Sequence, residues 1–242
     1  MPFLISILAG VFILLGAALT KLYKDSHIIE AISFALALGA LVSLMIFDLV
    51  PDMFEGGAKW YLILIFVAIG FGILYLLDLL APDHDEHHDT PDNHDNENSA
   101  HIGIMSAIAV ILHNIIEGMT VYTMTMADLS QGLILAISIG LHNIPMGMLI
   151  YSTLSHKGRK AKLALLTAVI ISTPIGGVLM MLMSGLLNEM IIGSLVSVAS
   201  GMILYLIFME LLPHVLKTKP RKYSLIGVIV GFIVVLLSTF IG

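Results

Sequence analysis

Two short stretches, "HNIIEG" beginning at His113 and "HNIPMG" beginning at His142, place imidazole, amide and carboxylate groups inside otherwise apolar runs. His113 and Glu117 are four residues apart and Asn114 and Glu117 three apart, so on a helix all three share one face. A neutral imidazole and a carboxylate one turn apart can bind one cation, with the Asn carbonyl as a further oxygen donor. The second stretch repeats the theme 29 residues on with His142, Asn143 and Met146, and adds Pro145. Pro145 cannot donate to the Leu141 carbonyl and clashes with it. A freed backbone oxygen beside a His is a further way to hold a cation at mid-membrane depth. Thr173-Pro174 makes a second such break.

Further ionisable residues recur in the apolar runs, where each costs several kcal/mol unless it pairs or lines a path. "FDLVPD" (47–52) and "MELLPH" (209–214) share the order acid, Leu, apolar, Pro, acid or His. Asp48 and Asp52 in the first suggest an outer entrance, and Glu210 and His214 in the second an inner exit. Asp78 lies near the end of its run, where it can reach the interface, and is left out of this set.

The elements that must position these groups are membrane helices. The chain has 242 residues, 58% of them apolar and 12% charged, with a mean hydropathy of +1.02. One globular core cannot bury that excess, so lipid must be the solvent for much of the surface. Eight apolar runs of about the required length cover 3–22, 30–50, 60–80, 102–126, 131–153, 161–187, 190–213 and 223–242. The sequence therefore predicts an all-α integral membrane protein of eight transmembrane helices, read as a single domain over 1–242. Lys21 and Lys24 follow the first run instead of preceding it, which argues for a retained helix and against a cleaved signal. Lys and Arg gather in the first, fifth and seventh loops, and only Lys59 of the eleven lies on the other side. By the positive-inside rule both termini are outside. The matching motifs then lie on opposite faces, as an inverted repeat would put them.

The loop at 81–101 differs in kind. It holds His84, His87, His88, His94 and His101 with seven acids and two Pro, and no large apolar side chain. It is expected to be disordered and cytoplasmic, and to capture metal weakly. The chain has no Cys, which excludes thiolate sites and disulfides. The basic residues sit at membrane borders, so the net charge of −6 points to no nucleic-acid partner.

With "HNIIEG", "HNIPMG", "ELLPH" and the His-rich loop in view, the chain resembles the ZIP (Zrt/Irt-like) divalent metal transporters over nearly its whole length. The resemblance implies helices 1–3 and 6–8 related by inversion around helices 4 and 5, a 3+2+3 arrangement. It implies zinc moving toward the cytoplasm through a site between helices 4 and 5, with metal ligands at His113, Asn114 and Glu117. The chain departs from the family at Met146 and Thr173, where many members carry Glu. One carboxylate then serves the midplane, and two dications beside one anion would repel strongly. One metal is expected, held by His113, Glu117 and His142 and completed by Asn114, Asn143 and the Met146 thioether. Two imidazoles and one carboxylate suit Zn²⁺ and leave Fe²⁺, Mn²⁺, Co²⁺ and Cd²⁺ open; the metal is cargo, and no cofactor is expected. The setting expected is the cell membrane, with a homodimer one arrangement the chain would allow.

Two other readings follow from the same residues. One is an intramembrane zinc hydrolase, against which stands the lack of H-E-x-x-H and G-x-S-x-G motifs. The other is a metal sensor that has lost transport, which would draw on Met146 and Thr173.

Overall fold

The computed structural model describes residues 1–22, 26–55, 59–80, 91–154, 159–183, 189–219 and 221–240. Among them, eight helices are long and apolar enough to cross a membrane. We number them α1 (Pro2–Leu22), α2 (Ser26–Leu44, continuing through Met45–Leu49 and Val50–Glu55), α3 (Trp60–Leu80), α4 (Pro91–Ala127), α5 (Leu129–Thr153), α6 (Arg159–Met183), α7 (Glu189–Tyr205, continuing through Leu206–Leu211 and Leu212–Lys217) and α8 (Arg221–Thr239). Large apolar side chains such as Leu4, Leu64, Leu182 and Leu225 face outward on them. Only hydrocarbon can solvate such a belt while every backbone group bonds within its own helix.

Two boundaries differ from the sequence reading. α4 begins at Pro91, so the later half of the segment expected to lack order is helical backbone carrying His94 and His101. Proline suits a first helical position, and the acids after it favour the positive end of the helix dipole. A helix already nucleated by the packed part of α4 extends at little cost. His84, His87 and His88 lie outside the described residues. The second difference is that Pro51 and Pro213 do not stop α2 and α7. Each follows a π-helical stretch in which an N–H reaches back five residues, Val50 to the Met45 carbonyl and Leu212 to that of Ile207. The extra residue in the turn makes room where a proline ring would otherwise collide with the preceding turn.

Close packing rests on small residues, as expected where lipid removes the hydrophobic drive between helices. α1 lies along α5 and α6 along α4; α2 lies along α8 and α3 along α7. At each contact a glycine on either helix sits directly on the partner's backbone: Gly16 with Gly147, Gly176 with Gly118, Gly39 with Gly231, and Gly70 with Gly201. A Cβ on any of these eight would collide with a main-chain carbonyl, so no larger side chain fits. The Ile170 carbonyl, which Pro174 leaves without its intrahelical donor, is nearest to Gly10 of α1, where an added Cβ would meet it at 2.5 Å.

α4 and α5 are joined by the single residue Asp128. Its carboxylate caps α5 by accepting from the Ser130 and Gln131 N–H groups at 2.7 and 3.0 Å. So short a link makes the two helices antiparallel neighbours, which is what brings the two His-Asn motifs face to face.

Candidate metal centre

The two motifs meet at one carboxylate oxygen. His142 Nε2 lies 2.6 Å from Glu117 Oε1 in a hydrogen bond. His113 Nε2 lies 2.9 Å from the same oxygen, in ion-pair range but without hydrogen-bond alignment. All three residues are buried, and the imidazole centroids are 6.2 Å apart. Their ligand atoms all fall within 4.8 Å of one another, close enough to share one ion. Glu117 Oε2 and His113 Nδ1 have no hydrogen-bond partner among the described residues. A buried carboxylate oxygen left so is costly unless something else satisfies it, and a cation would do so.

The asparagines hold helices as well as offering oxygens. Asn114 Nδ2 donates to the Val169 carbonyl of α6 and Asn143 Nδ2 to the Ala9 carbonyl of α1, both at 3.4 Å. Asn114 Oδ1 is buried without a hydrogen-bond partner among the described residues. Thr173 is also buried, with its carbonyl against Gly118 of α4 and its hydroxyl unpartnered among the described residues.

A cavity of about 60 Å³ borders the three ligands, and Asp48 and Asp52 line it together with His113, Glu117 and His142. That volume holds several waters. The π-helical turn is what carries Asp48 to this wall. Ser138, which donates to the Ser238 carbonyl at 2.6 Å, adds a polar group that the sequence did not single out. On the other side of the histidines lies a chamber of about 10 Å³, walled by Ala40, Leu41, Leu44, Val110, Ile203 and Met146 beside His113, His142 and Asn143. It is at the limit of holding one water. Met146 therefore borders the site from the apolar side.

The remaining candidates part company. Glu210 joins a second polar cluster with Asp78 and His101, whose ligand atoms also lie within 4.8 Å of one another. His101 Nε2 is 2.6 Å from Asp78 Oδ1 and 4.0 Å from Glu210 Oε1, while Tyr205 donates its hydroxyl to Asp78 Oδ2 at 2.5 Å. His101 was expected in an unstructured loop; helix α4 lifts it to the end of α3 instead. Asp78 and Tyr205 were missed. The signal for Asp78 was an acid inside an apolar run, discounted because it lay near the helix end. His214 stacks its ring on Phe34 of α2, centroids 3.7 Å apart.

The described residues thus form a bundle of eight span-length helices around a buried His-Glu-His cluster that could hold a metal ion. Residues 78–239 match the family model described as ZIP zinc transporter. The chain is 25% identical over 273 residues to "Zinc transporter ZupT" of Clostridium perfringens, covering 98% of this chain and 94% of that protein. It is 26% identical over 253 residues to "Zinc transporter ZupT" of Streptococcus mutans serotype c, covering 98% and 95%. The chain belongs to the ZIP zinc transporter family. It is accordingly a multi-pass membrane protein of a transporter family and not an enzyme, so the hydrolase reading is set aside.

Proposed function

We propose that this protein carries Zn²⁺-like dications toward the cytoplasm, one at a time, through the site formed by His113, Glu117 and His142. The observation that carries the reading is the shared Glu117 oxygen between two imidazoles at the foot of a cavity lined by Asp48 and Asp52. Two imidazoles and one carboxylate match the donor preference of zinc, whereas Mg²⁺ and Ca²⁺ want oxygen shells. The acids along the cavity concentrate cations at its mouth. Glu117 is the one carboxylate among the three clustered ligands, and a second dication held by the same oxygens would be repelled by the first, which supports single occupancy.

The inverted 3+2+3 arrangement is supported by recurrence along the chain. Gly16 and Gly176, Gly39 and Gly201, and Gly70 and Gly231 are 160, 162 and 161 residues apart, and Asp48 and Glu210 are 162 apart. The asparagine partners Ala9 and Val169 keep the same interval. The members of each pair lie five helices apart along the chain, and an odd step reverses direction, which supports inversion of the halves. With both termini outside, Asp48 faces outward and Glu210 inward.

The test is Zn²⁺ uptake by proteoliposomes holding purified protein. His113→Ala and Glu117→Ala should abolish it, and unchanged uptake in both would sink the proposal.

A further inference from the structure

We propose that Asp78, His101 and Tyr205 form a latch that holds shut the side of the pathway opposite the Asp48 cavity; the idea rests on the transport reading above. Along α4, His101, Val110 and His113 follow one another, and along α7 Val196, Ile203 and Glu210 do so. Val196 lines the open cavity and Val110 and Ile203 the small chamber, so the order is open cavity, ligands, small apolar chamber, polar cluster. The route is therefore wide on one side of the ligands and nearly filled on the other.

The cluster sits on a seam. α3 and α7 behave as one pair: Gly70 and Gly201 bring their backbones together, and Phe71 packs edge-on against Tyr205 at 5.2 Å. The Tyr205 hydroxyl on Asp78 Oδ2 is thus a bond within that pair. α3 barely touches α4, and the 2.6 Å contact of His101 with Asp78 Oδ1 crosses that thin boundary. Glu210, 4.0 Å from the same imidazole, adds a second acid from the α7 side. For the chamber to open, α4 must move away from the α3–α7 pair, and the His101–Asp78 bond must break. Tyr205 is a positioning residue: it fixes the Asp78 carboxylate so that its other oxygen meets His101.

The absence of cysteine makes a direct test available, because one introduced thiol is the only reactive one. Ala40→Cys reports on the small chamber and Thr120→Cys on the open cavity. Each is labelled in chelator-treated vesicles with an impermeant maleimide, applied from either side. His101→Ala should raise Ala40→Cys labelling from the far side about tenfold, as expected for losing one hydrogen bond to a carboxylate. Tyr205→Phe keeps the ring contact and should raise it about threefold. Thr120→Cys labelling should not rise in either. Unchanged Ala40→Cys labelling in both variants overturns the latch, and so does a rise at both reporters, which would mean a loosened fold. Labelling is read without metal. Parent protein that moves no Zn²⁺ yet responds as expected would refute the transport reading and leave the latch standing.

Discussion

Glu117 gives one oxygen to both His113 and His142 and keeps the other buried without a partner among the described residues. Asp78 divides its two oxygens between Tyr205 and His101, and its side chain is 35% exposed against 8% for Glu117. The two clusters use nearly the same side chains, yet of these two carboxylates only Glu117 keeps an oxygen without a partner among the described residues. An unsatisfied buried carboxylate invites a cation, whereas a satisfied, half-exposed one ties helices together. Residue type alone does not separate the two carboxylates; the partners of their oxygens do.

The comparison can be broken most directly at the carboxylates. Glu117→Gln should reduce Zn²⁺ uptake by at least a hundredfold, because even two unit charges roughly 4 Å apart attract by about 4 kcal/mol at an effective dielectric near 20, and a dication attracts more strongly. Asp78→Asn should leave uptake measurable, and equal loss in the two variants would merge the clusters into one site. Next in size, Asp48→Asn with Asp52→Asn should raise the KM for Zn²⁺ several-fold with little change in maximal rate, since these acids act on capture at the cavity mouth. Met146→Glu sharpens the comparison from the other direction by adding a carboxylate to the apolar side of the ligands. Bound metal, counted by mass spectrometry of elemental content, should rise from one ion per chain toward two, and the order of preference among Zn²⁺, Fe²⁺, Mn²⁺, Co²⁺ and Cd²⁺ should change. A Glu variant identical in both respects would reduce Met146 to packing. The smallest effect is expected from replacing His84, His87 and His88 with Ser. Uptake at saturating Zn²⁺ should fall by less than about twofold, as suits imidazoles that only capture metal ahead of the buried centre.

Much of the centre was legible because one helix carries so much of it. The spacing of His113, Asn114 and Glu117 fixes a common face by helix geometry alone, and the 29-residue repeat flags His142 as the opposing wall. What spacing could not show is that the asparagines spend their N–H groups on α1 and α6. His101 reads as loop because the residues before it are acidic and polar, and local composition says nothing about a helix extended backward from packed residues that begin at Ile102. The second and seventh apolar runs stop at 50 and 213, short of where α2 and α7 end, because the π-helical turn that accommodates Pro51 and Pro213 has no sequence pattern of its own.

The sequence by itself determined the class of solvent, the number of spans and the chemistry of the ligands, since hydropathy and helix periodicity are local and additive. Only the tertiary structure decided that His113 and His142 converge on one oxygen, that a cavity and a nearly filled chamber both border them, and that Asp78 belongs with Tyr205 and His101. Those facts depend on which helix backs onto which, and glycine-to-backbone contacts between spans far apart in the chain settle it.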